Sequence, residues 1–180
     1  MTFQKSSRLS NMGIRTNMIE KIVSGGQSGV DRAALDVAIA LCIAHGGWCP
    51  KGRLAEDGPI AAHYQLVETI SAEYNERTCL NIRDSDATLI LLTSDEIRDG
   101  TLLTIDEARS KGKPYLLVNL TDAVNSHEVT AWLQISGIKI LNIAGPRESN
   151  APGVYAKSYA FLSQLFLQEK ELEAPFVKIG

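Results

Sequence analysis

The sequence has few of the features that mark specialised classes of protein. Its three cysteines, Cys42, Cys49 and Cys79, form no CxxC pair, so neither a disulfide framework nor a zinc knuckle is indicated and we expect a reducing compartment. No apolar run approaches the roughly 20 residues that span a bilayer. The first residues are polar where a signal peptide needs an apolar stretch. We therefore expect a cytoplasmic protein with no membrane partner.

The charge of the chain is also low. Eighteen Lys and Arg residues face 21 Asp and Glu residues, which gives a net charge of -3. A field of this size and sign does not attract nucleic acid, so we expect no nucleic-acid partner. The first 60 residues nevertheless hold 7 basic and 5 acidic side chains, which leaves room for a small anionic ligand. With 44% hydrophobic residues in 180, the chain can bury a core and is not of disordered or coiled-coil composition.

Several catalytic signatures are absent. The three histidines, His45, His63 and His127, lie far apart, and the sequence contains no HExxH, GxSxG, GxGxxG or Walker motif. These absences disfavour a metalloprotease, a hydrolase elbow and the common dinucleotide or P-loop sites. The candidates for a general base are Asp31, Glu56, Asp57, Asp106 and Glu107, but no acid and base pair is evident.

Hydrophobic patterning predicts strands that alternate with helices. Residues 1–18 show no periodicity and are expected to form a flexible N-terminal arm. A single ligand-binding domain is expected over 19–180, with a strand at EKIVSG and a helix over 30–44. Further strands are predicted at HGGWCP, ATLILLT, YLLVNL and IKILNIAG, and further helices at 77–85, GTLLTIDEARS, SHEVTAWLQIS and VYAKSYAFLSQLFLQEKEL, whereas 64–78 is ambiguous. The pattern indicates an α/β doubly wound fold, with a mainly parallel sheet and helices on both faces.

In such a fold, turns at the carboxyl ends of the strands carry the ligand. The first turn is rich in glycine and opens a helix, an arrangement that suits a phosphate. It supplies the first candidate contacts: Gly25, Gly26, Gln27, Ser28, Gly29, Asp31 and Arg32. The alternative use of the glycines is a tight turn between strand and helix, and Asp31 also fits as a favourable charge in the first turn of its helix.

Three other groups of residues are candidates for the same site. Lys51 and Arg53 add charge beside Trp48, whose ring offers a stacking face. Arg77 and Asn81 share a helix face. The alternative role of Arg77 is an ion pair with Glu73. The last group is the turn with Gly100, Thr101 and Thr104, where a threonine either caps the helix or binds phosphate. Arg147, which follows the last strand, faces either the ligand or solvent.

The segments SGGQSGVDRAALDVA, HGGWCPKGRLAEDG, ETISAEYNERTCLNIRDSDATLI, GTLLT and GPRESNAPGVY resemble the molybdenum carrier (molybdenum cofactor carrier) family. That family is similar to the Rossmann-like superfamily of the lysine-decarboxylase-like LOG proteins and DNA-processing protein A. The resemblance implies a Rossmann-like homodimer or homotetramer. It also implies a protein that binds molybdenum cofactor (molybdopterin), a small phosphorylated ligand, and protects it for storage or transfer to molybdoenzymes.

The main alternative is a LOG-like nucleotide phosphoribohydrolase or a sensor of a nucleotide derivative. LOG enzymes carry a PGGxGTxxE motif, whereas here Asp99-Gly100-Thr101 is followed by Thr104, without the PGG and without the glutamate. We therefore expect a binding protein rather than an enzyme. Asp106 or Glu107 would have to supply the base if hydrolysis occurred.

Overall fold

The computed structural model describes residues 19–95, 97, 99–121, 126–135 and 137–173. The predicted arm over 1–18 lies outside the described residues. The strands are β1 (Lys21–Val23), β2 (Ala44–Cys49), β3 (Leu54–Ala55), β4 (Gly58–Pro59), β5 (Leu66–Glu68), β6 (Ala87–Leu92), β7 (Tyr115–Asn119) and β8 (Ile140–Ala144). The helices are α1 (Val30–Ala40), α2 (Tyr74–Arg83), α3 (Asp99–Ser110), α4 (Ser126–Ile135) and α5 (Val154–Glu173).

Six of the strands form one parallel sheet in the order β5-β2-β1-β8-β6-β7. In the centre of the sheet, Lys21 of β1 is in register with Ala44 of β2 on one side and with Ile140 of β8 on the other. The strands β3 and β4 form a separate antiparallel hairpin after β2. The predicted α/β fold with a parallel sheet is confirmed.

Strand β6 shows why the sheet needs helices on both faces. All six of its residues are buried, and successive side chains of a strand point to opposite faces. Leu89 and Leu91 pack in the core on the side of α1, α4 and α5. Ile90 and Leu92 instead pack with Ile105 of α3. A continuous apolar strand of this kind is stable only when both of its faces are covered.

Helix α1 presents the apolar face that its sequence predicts. Val30, Ala34, Val37 and Ala38 are all fully buried, and the small residues on this face let α5 pack closely against α1. The helix predicted over 30–44 was too long, however. It ends at Ala40, and Cys42 adopts a left-handed conformation with φ 54° before β2 begins.

The path of the chain fixes the location of the ligand crevice. From β1 the chain moves through β2 to β5 at one edge, crosses to β6 and β7 at the other, and returns to place β8 between β1 and β6. Ligands in open α/β sheets bind beyond the carboxyl ends of the strands, where the winding direction reverses. Here that point lies at the ends of β1, β8 and β6. No helix in the described part of the chain is long and apolar enough to cross a membrane.

Candidate functional site

A crevice of about 340 Å³ opens at the carboxyl ends of β1, β8 and β6. Helix α2 and the first turn of α3 form its walls. Eight of the residues predicted from sequence line it: Gly25, Gln27, Asp31, Arg77, Asn81, Gly100, Thr101 and Thr104. The crevice therefore brings together residues from the glycine turn, α2 and α3, as the sequence pattern predicted.

An ion pair covers the glycine turn inside the crevice. The Nη1 group of Arg77 donates to Oδ2 of Asp31 at 2.7 Å, and the exposed fractions of the two side chains are 17% and 4%. The pair lies directly on Gly25, because a Cβ built there would stand 1.7 Å from Arg77 Nη1. The competing partner Glu73 is not used. The absence of a side chain at Gly25 thus lets the Arg77 guanidinium reach Asp31.

The ion pair does not use every hydrogen-bond donor of Arg77. Its Nε atom is buried and has no hydrogen-bond partner among the described residues. Asp31, Arg77 and Arg147 are the charged side chains among the described residues that line the crevice, so its formal charge is positive. A guanidinium held at one end by a carboxylate and unpaired at Nε is well placed to bind an oxyanion.

The other residues of the glycine turn face away from this crevice. Ser28, Gly29 and Arg32 line a second cavity of about 690 Å³. The Nη2 group of Arg32 donates to the carbonyl oxygen of Gly26 at 3.1 Å and binds the carboxylate of Asp57. Gly29 has a φ of 77°, and a Cβ there would stand 2.5 Å from the carbonyl oxygen of Pro146. Gly26, Ser28, Gly29 and Arg32 therefore contact other segments of the protein and do not line the crevice.

The second cavity has a network of hydroxyl groups around one carboxylate. The phenol groups of Tyr64 and Tyr155 donate to the two oxygens of Asp36 at 2.6 and 2.8 Å. Burial, followed by the hydrogen bond to Asp36, raises the pKa of Tyr155 to about 12, and the same causes raise the pKa of Tyr64. Both phenols stay protonated at neutral pH and join α5 and the loop before β5 to α1.

The first turn of α3 contributes backbone groups and one hydroxyl. Gly100 and Thr101 lie where the amide groups of a helix have no partner within the helix, which favours a bound anion. Thr104 is buried, and its hydroxyl donates to the carbonyl oxygen of Gly100 at 3.0 Å. The Thr104 hydroxyl is therefore used within its own helix. Gly100 and Thr101 belong to the first turn, whose backbone N–H groups have no partner within the helix.

Asn81 has a structural use in addition to its place in the crevice. Its Oδ1 atom accepts the N–H of Trp48 at 2.7 Å, and its Nδ2 group donates to the carbonyl oxygen of Trp48 at 3.0 Å. This paired contact fixes α2 to β2. The indole of Trp48 donates to Asp84 and lies under the Arg83 guanidinium, and it does not line the crevice. The expected stacking face of Trp48 is therefore turned elsewhere.

Lys51 and Arg53 also lie outside the crevice. Lys51 is exposed. The guanidinium of Arg53 donates to four carbonyl oxygens, those of Ile60, Ala61, Tyr64 and Leu66. Arg53 thereby stabilises the loop between β4 and β5. Its guanidinium binds backbone carbonyl groups of the protein rather than a ligand in the crevice.

Glu56, at the tip of the β3–β4 hairpin, joins the glycine turn to the loop after β8. Its carboxylate accepts hydrogen bonds from the Ser28 hydroxyl and from the N–H and hydroxyl of Ser149. Burial disfavours the ionised carboxyl, but the hydrogen bonds from Ser149 and Ser28 outweigh it and hold the pKa of Glu56 below its ordinary value of 4.5. The hairpin is thus attached most firmly when Glu56 is ionised.

We expect the contribution of Glu56 to depend on pH. At pH 7, Glu56→Gln should lower the free energy of unfolding by about 1 kcal/mol, because the hydrogen bonds lose their charged acceptor. A lowered folded-state pKa stabilises the protein above the unfolded value, and this stability is lost as the pH falls through the folded value. Urea denaturation from pH 7 to pH 3 should therefore show the gap between wild type and variant closing below 4.5. A gap that stays constant would contradict this account.

Sequence reasoning missed six polar residues that line the crevice. They are Tyr74, Asn75, Thr93, Ser94, Asn142 and Asn150. Thr93 and Ser94 directly follow the buried strand β6, and Asn142 is a buried amide within the apolar strand β8, where its Nδ2 donates to Thr88. A polar residue inside or just after an apolar strand is the signal that would have indicated these three residues. Arg147 also lines the crevice, with its guanidinium 5.3 Å from the ring centre of Tyr74.

The candidate bases of the alternative hypothesis are not in the crevice. Asp106 is exposed, and Glu107 forms an ion pair with Lys111 at 3.0 Å. Asp31 is the one carboxylate among the described residues that line the crevice. No group of three or more possible metal ligands occurs in the described ranges. Among the described residues, the crevice lining can bind an anion, and its one carboxylate is paired with Arg77.

Comparisons with known proteins agree with the fold and the motifs. The model of the circularly permutated YpsA SLOG family (cpYpsA) matches residues 22–166. A crystal structure named "Putative molybdenum carrier protein", from Syntrophus aciditrophicus SB, is 42% identical with a TM-score of 0.78, and the match covers 83% of this chain and 95% of that chain. No curated protein matches the chain. Because the family model spans most of the chain, this protein belongs to the circularly permutated YpsA SLOG family.

Proposed function

We propose that this protein binds molybdenum cofactor in the crevice at the carboxyl ends of β1, β8 and β6, and protects it without chemical turnover. The observation that carries the proposal is the Arg77 guanidinium, which lines the crevice, is held by Asp31 and has a buried, unpaired Nε atom. Such a group favours the phosphate of a phosphorylated ligand. The name of the structural neighbour, a molybdenum carrier, supports the choice of ligand.

The crevice has a suitable composition for a phosphorylated pterin. Its volume of about 340 Å³ lies within the range of small-molecule sites, which runs from roughly 300 to 1,000 Å³. Arg77 and the first turn of α3, with Gly100 and Thr101, would hold the phosphate. The ring of Tyr74 at the wall offers an aromatic face for the pterin. Among the described residues of the crevice, the one carboxylate is that of Asp31, which is paired with Arg77. This arrangement is consistent with storage of an unaltered ligand.

A protection assay tests the proposal. Cofactor released from a molybdoenzyme is incubated with the purified protein, and the surviving cofactor is measured by reconstituting a cofactor-free molybdoenzyme. Wild type should lengthen the half-life of the cofactor. Arg77→Ala should weaken binding at least about 30-fold, because a charge-assisted pair is lost. Arg77→Lys should recover only part of this loss, because it keeps the charge but loses the forked geometry.

Arg83→Ala is the matched control, because Arg83 lies on the same helix but is exposed and pairs with Asp84 outside the crevice. It should protect the cofactor as wild type does. The proposal is wrong if wild type gives no protection, or if Arg77→Ala protects as well as Arg83→Ala.

A nucleotide ligand is the second candidate, because the same guanidinium and helix turn suit a nucleotide phosphate. We expect binding without hydrolysis, since the crevice lacks a free carboxylate among the described residues. Incubation with nucleoside monophosphates, followed by chromatography, distinguishes the cases. Release of free base would establish a phosphoribohydrolase instead.

The remaining parts of the proposal concern the cell. We propose a cytoplasmic homodimer or homotetramer that delivers its ligand to molybdoenzymes. Sedimentation at micromolar concentration tests the assembly. A monomer under those conditions would contradict it, whereas transfer is tested by the reconstitution step of the protection assay.

A further inference from the structure

The side chain of Gln27 is fixed in an unusual way inside the crevice. Its exposed fraction is 4%. Its Oε1 atom accepts two backbone N–H groups, from Ser28 at 3.0 Å and from Glu56 at 2.9 Å. One of these donors belongs to its own turn and the other to the β3–β4 hairpin. The carboxamide oxygen is therefore fully occupied by the protein itself.

These two bonds also fix the direction of the amide nitrogen. Rotating the carboxamide by half a turn would place its NH₂ group against two N–H donors, an arrangement without any hydrogen bond. Only the oxygen can face Ser28 and Glu56, so the NH₂ group must point the other way. Gln27 lines the crevice, and its buried Nε2 atom has no partner in the part of the chain that the structure describes.

A buried donor without a partner is rare in folded proteins. Two residues that line this crevice carry such a donor, Gln27 at Nε2 and Arg77 at Nε. Asp31 links the two residues through other atoms, since its Oδ2 accepts from Nη1 of Arg77 and, at 3.4 Å, from the backbone N–H of Gln27. Both of the unsatisfied groups donate, so the ligand part that completes them must supply acceptor oxygens.

We propose that Gln27 is a specificity-determining residue that binds the oxyanion end of the ligand, beside Arg77. The inference rests on the crevice being the ligand site of the proposed function, and it adds the chemical class that this position selects. A tetrahedral oxyanion offers acceptors in several directions and meets both donors. Two sources share this chemistry, a phosphate group and a molybdate group, and the experiment separates them.

The test measures binding of inorganic phosphate and of molybdate by isothermal titration calorimetry. Gln27→Glu keeps an oxygen facing the N–H groups of Ser28 and Glu56, but it replaces the NH₂ group with a charged acceptor. We expect affinity for the preferred ion to fall about 100-fold or more, through the lost hydrogen bond and the added repulsion. Gln65→Glu, on an exposed residue outside the crevice, adds the same charge and should bind as wild type does.

Wild-type protein provides a second measurement that does not depend on the folding of a variant. In ¹H–¹⁵N NMR spectra, the side-chain NH₂ signals of Gln27 should shift on addition of the preferred ion, while those of Gln65 stay in place. The ion that binds more tightly and gives the larger shift identifies the source, phosphate or molybdate.

The outcomes separate this inference from the proposed function. Equal ion affinity in wild type and folded Gln27→Glu, or Gln27 signals that do not shift, would overturn the inference. If wild type protects cofactor in either case, the proposed function stands. If the ion binds through Gln27 but cofactor is not protected, the inference stands and the proposed ligand is wrong.

Discussion

Replacing Gly25 by alanine is expected to remove anion binding at the crevice and to lower the free energy of unfolding by about 2–4 kcal/mol. The new Cβ would stand 1.7 Å from Nη1 of Arg77 and 2.8 Å from Oδ2 of Asp31. The guanidinium is the flexible partner and must move. The Asp31 carboxylate, with an exposed side-chain fraction of 4%, then stays buried without its counter-charge, which is the costly part of the change.

Gly100→Ala is the matched control for stability, because a Cβ at Gly100 meets nothing within 4 Å. Gly100 lies in the first turn of α3, and alanine is a better helix former than glycine. Urea denaturation should therefore show a lower midpoint for Gly25→Ala and an unchanged or raised midpoint for Gly100→Ala. If the two variants unfold together at the wild-type midpoint, the guanidinium does not depend on the open face of Gly25.

The elements of this fold were largely predictable because central strands such as β6 and β8 are buried on both faces. Short, mainly apolar segments such as ATLILL and ILNIA are typical of buried strands, and they alternate along the chain with amphipathic helices. The end of α3 was signalled by Gly112, which has a φ of 61° and takes a conformation that glycine adopts without strain. Local chemistry decided these features, so a single sequence was enough to find them.

Features that depend on contacts between distant segments were not predictable. The position of β8 between β1 and β6 follows from how the whole chain packs, because no local pattern in ILNIA distinguishes a central strand from another buried one. β5 has only three residues, too few for a period to be recognised. It is defined by its pairing with β2 and by the Arg53 contacts around it.

The candidate site shows the same division. The glycine turn, the turn with Lys51 and Arg53, and the first turn of α3 were predicted to meet because they follow strands whose carboxyl ends share one edge. The first and third of these turns line the crevice, whereas Lys51 and Arg53 lie outside it. The partner of Arg77 was not predicted, since Asp31 is 46 residues away in the sequence. The glycines of the turn were expected to admit a ligand, and the structure shows that Gly25 admits Arg77 while Gly29 admits the backbone at Pro146. A glycine pattern indicates a close approach but does not identify what approaches.

Arg53 provides the largest expected effect outside the crevice. Arg53→Ala should lower the free energy of unfolding by about 2–4 kcal/mol, because four carbonyl oxygens lose a charged donor. The bonds measure 2.8 Å to Ile60, 3.2 Å to Leu66, 2.8 Å to Ala61 and 3.0 Å to Tyr64. Arg53 has a φ of 52°, a left-handed conformation that is strained for arginine and alanine alike. Alanine would keep that strain without the four hydrogen bonds that offset it.

Lys51→Ala separates this structural use of Arg53 from a ligand contact. Lys51 lies two residues away and is exposed, so its loss should change neither stability nor binding. Urea denaturation should show a lower midpoint for Arg53→Ala alone. Under conditions where all the proteins are folded, calorimetric titration with inorganic phosphate should give affinities for both variants within about threefold of wild type. A loss of affinity in folded Arg53→Ala comparable with that of Arg77→Ala would place Arg53 in the ligand site and contradict its assignment to the backbone between β4 and β5.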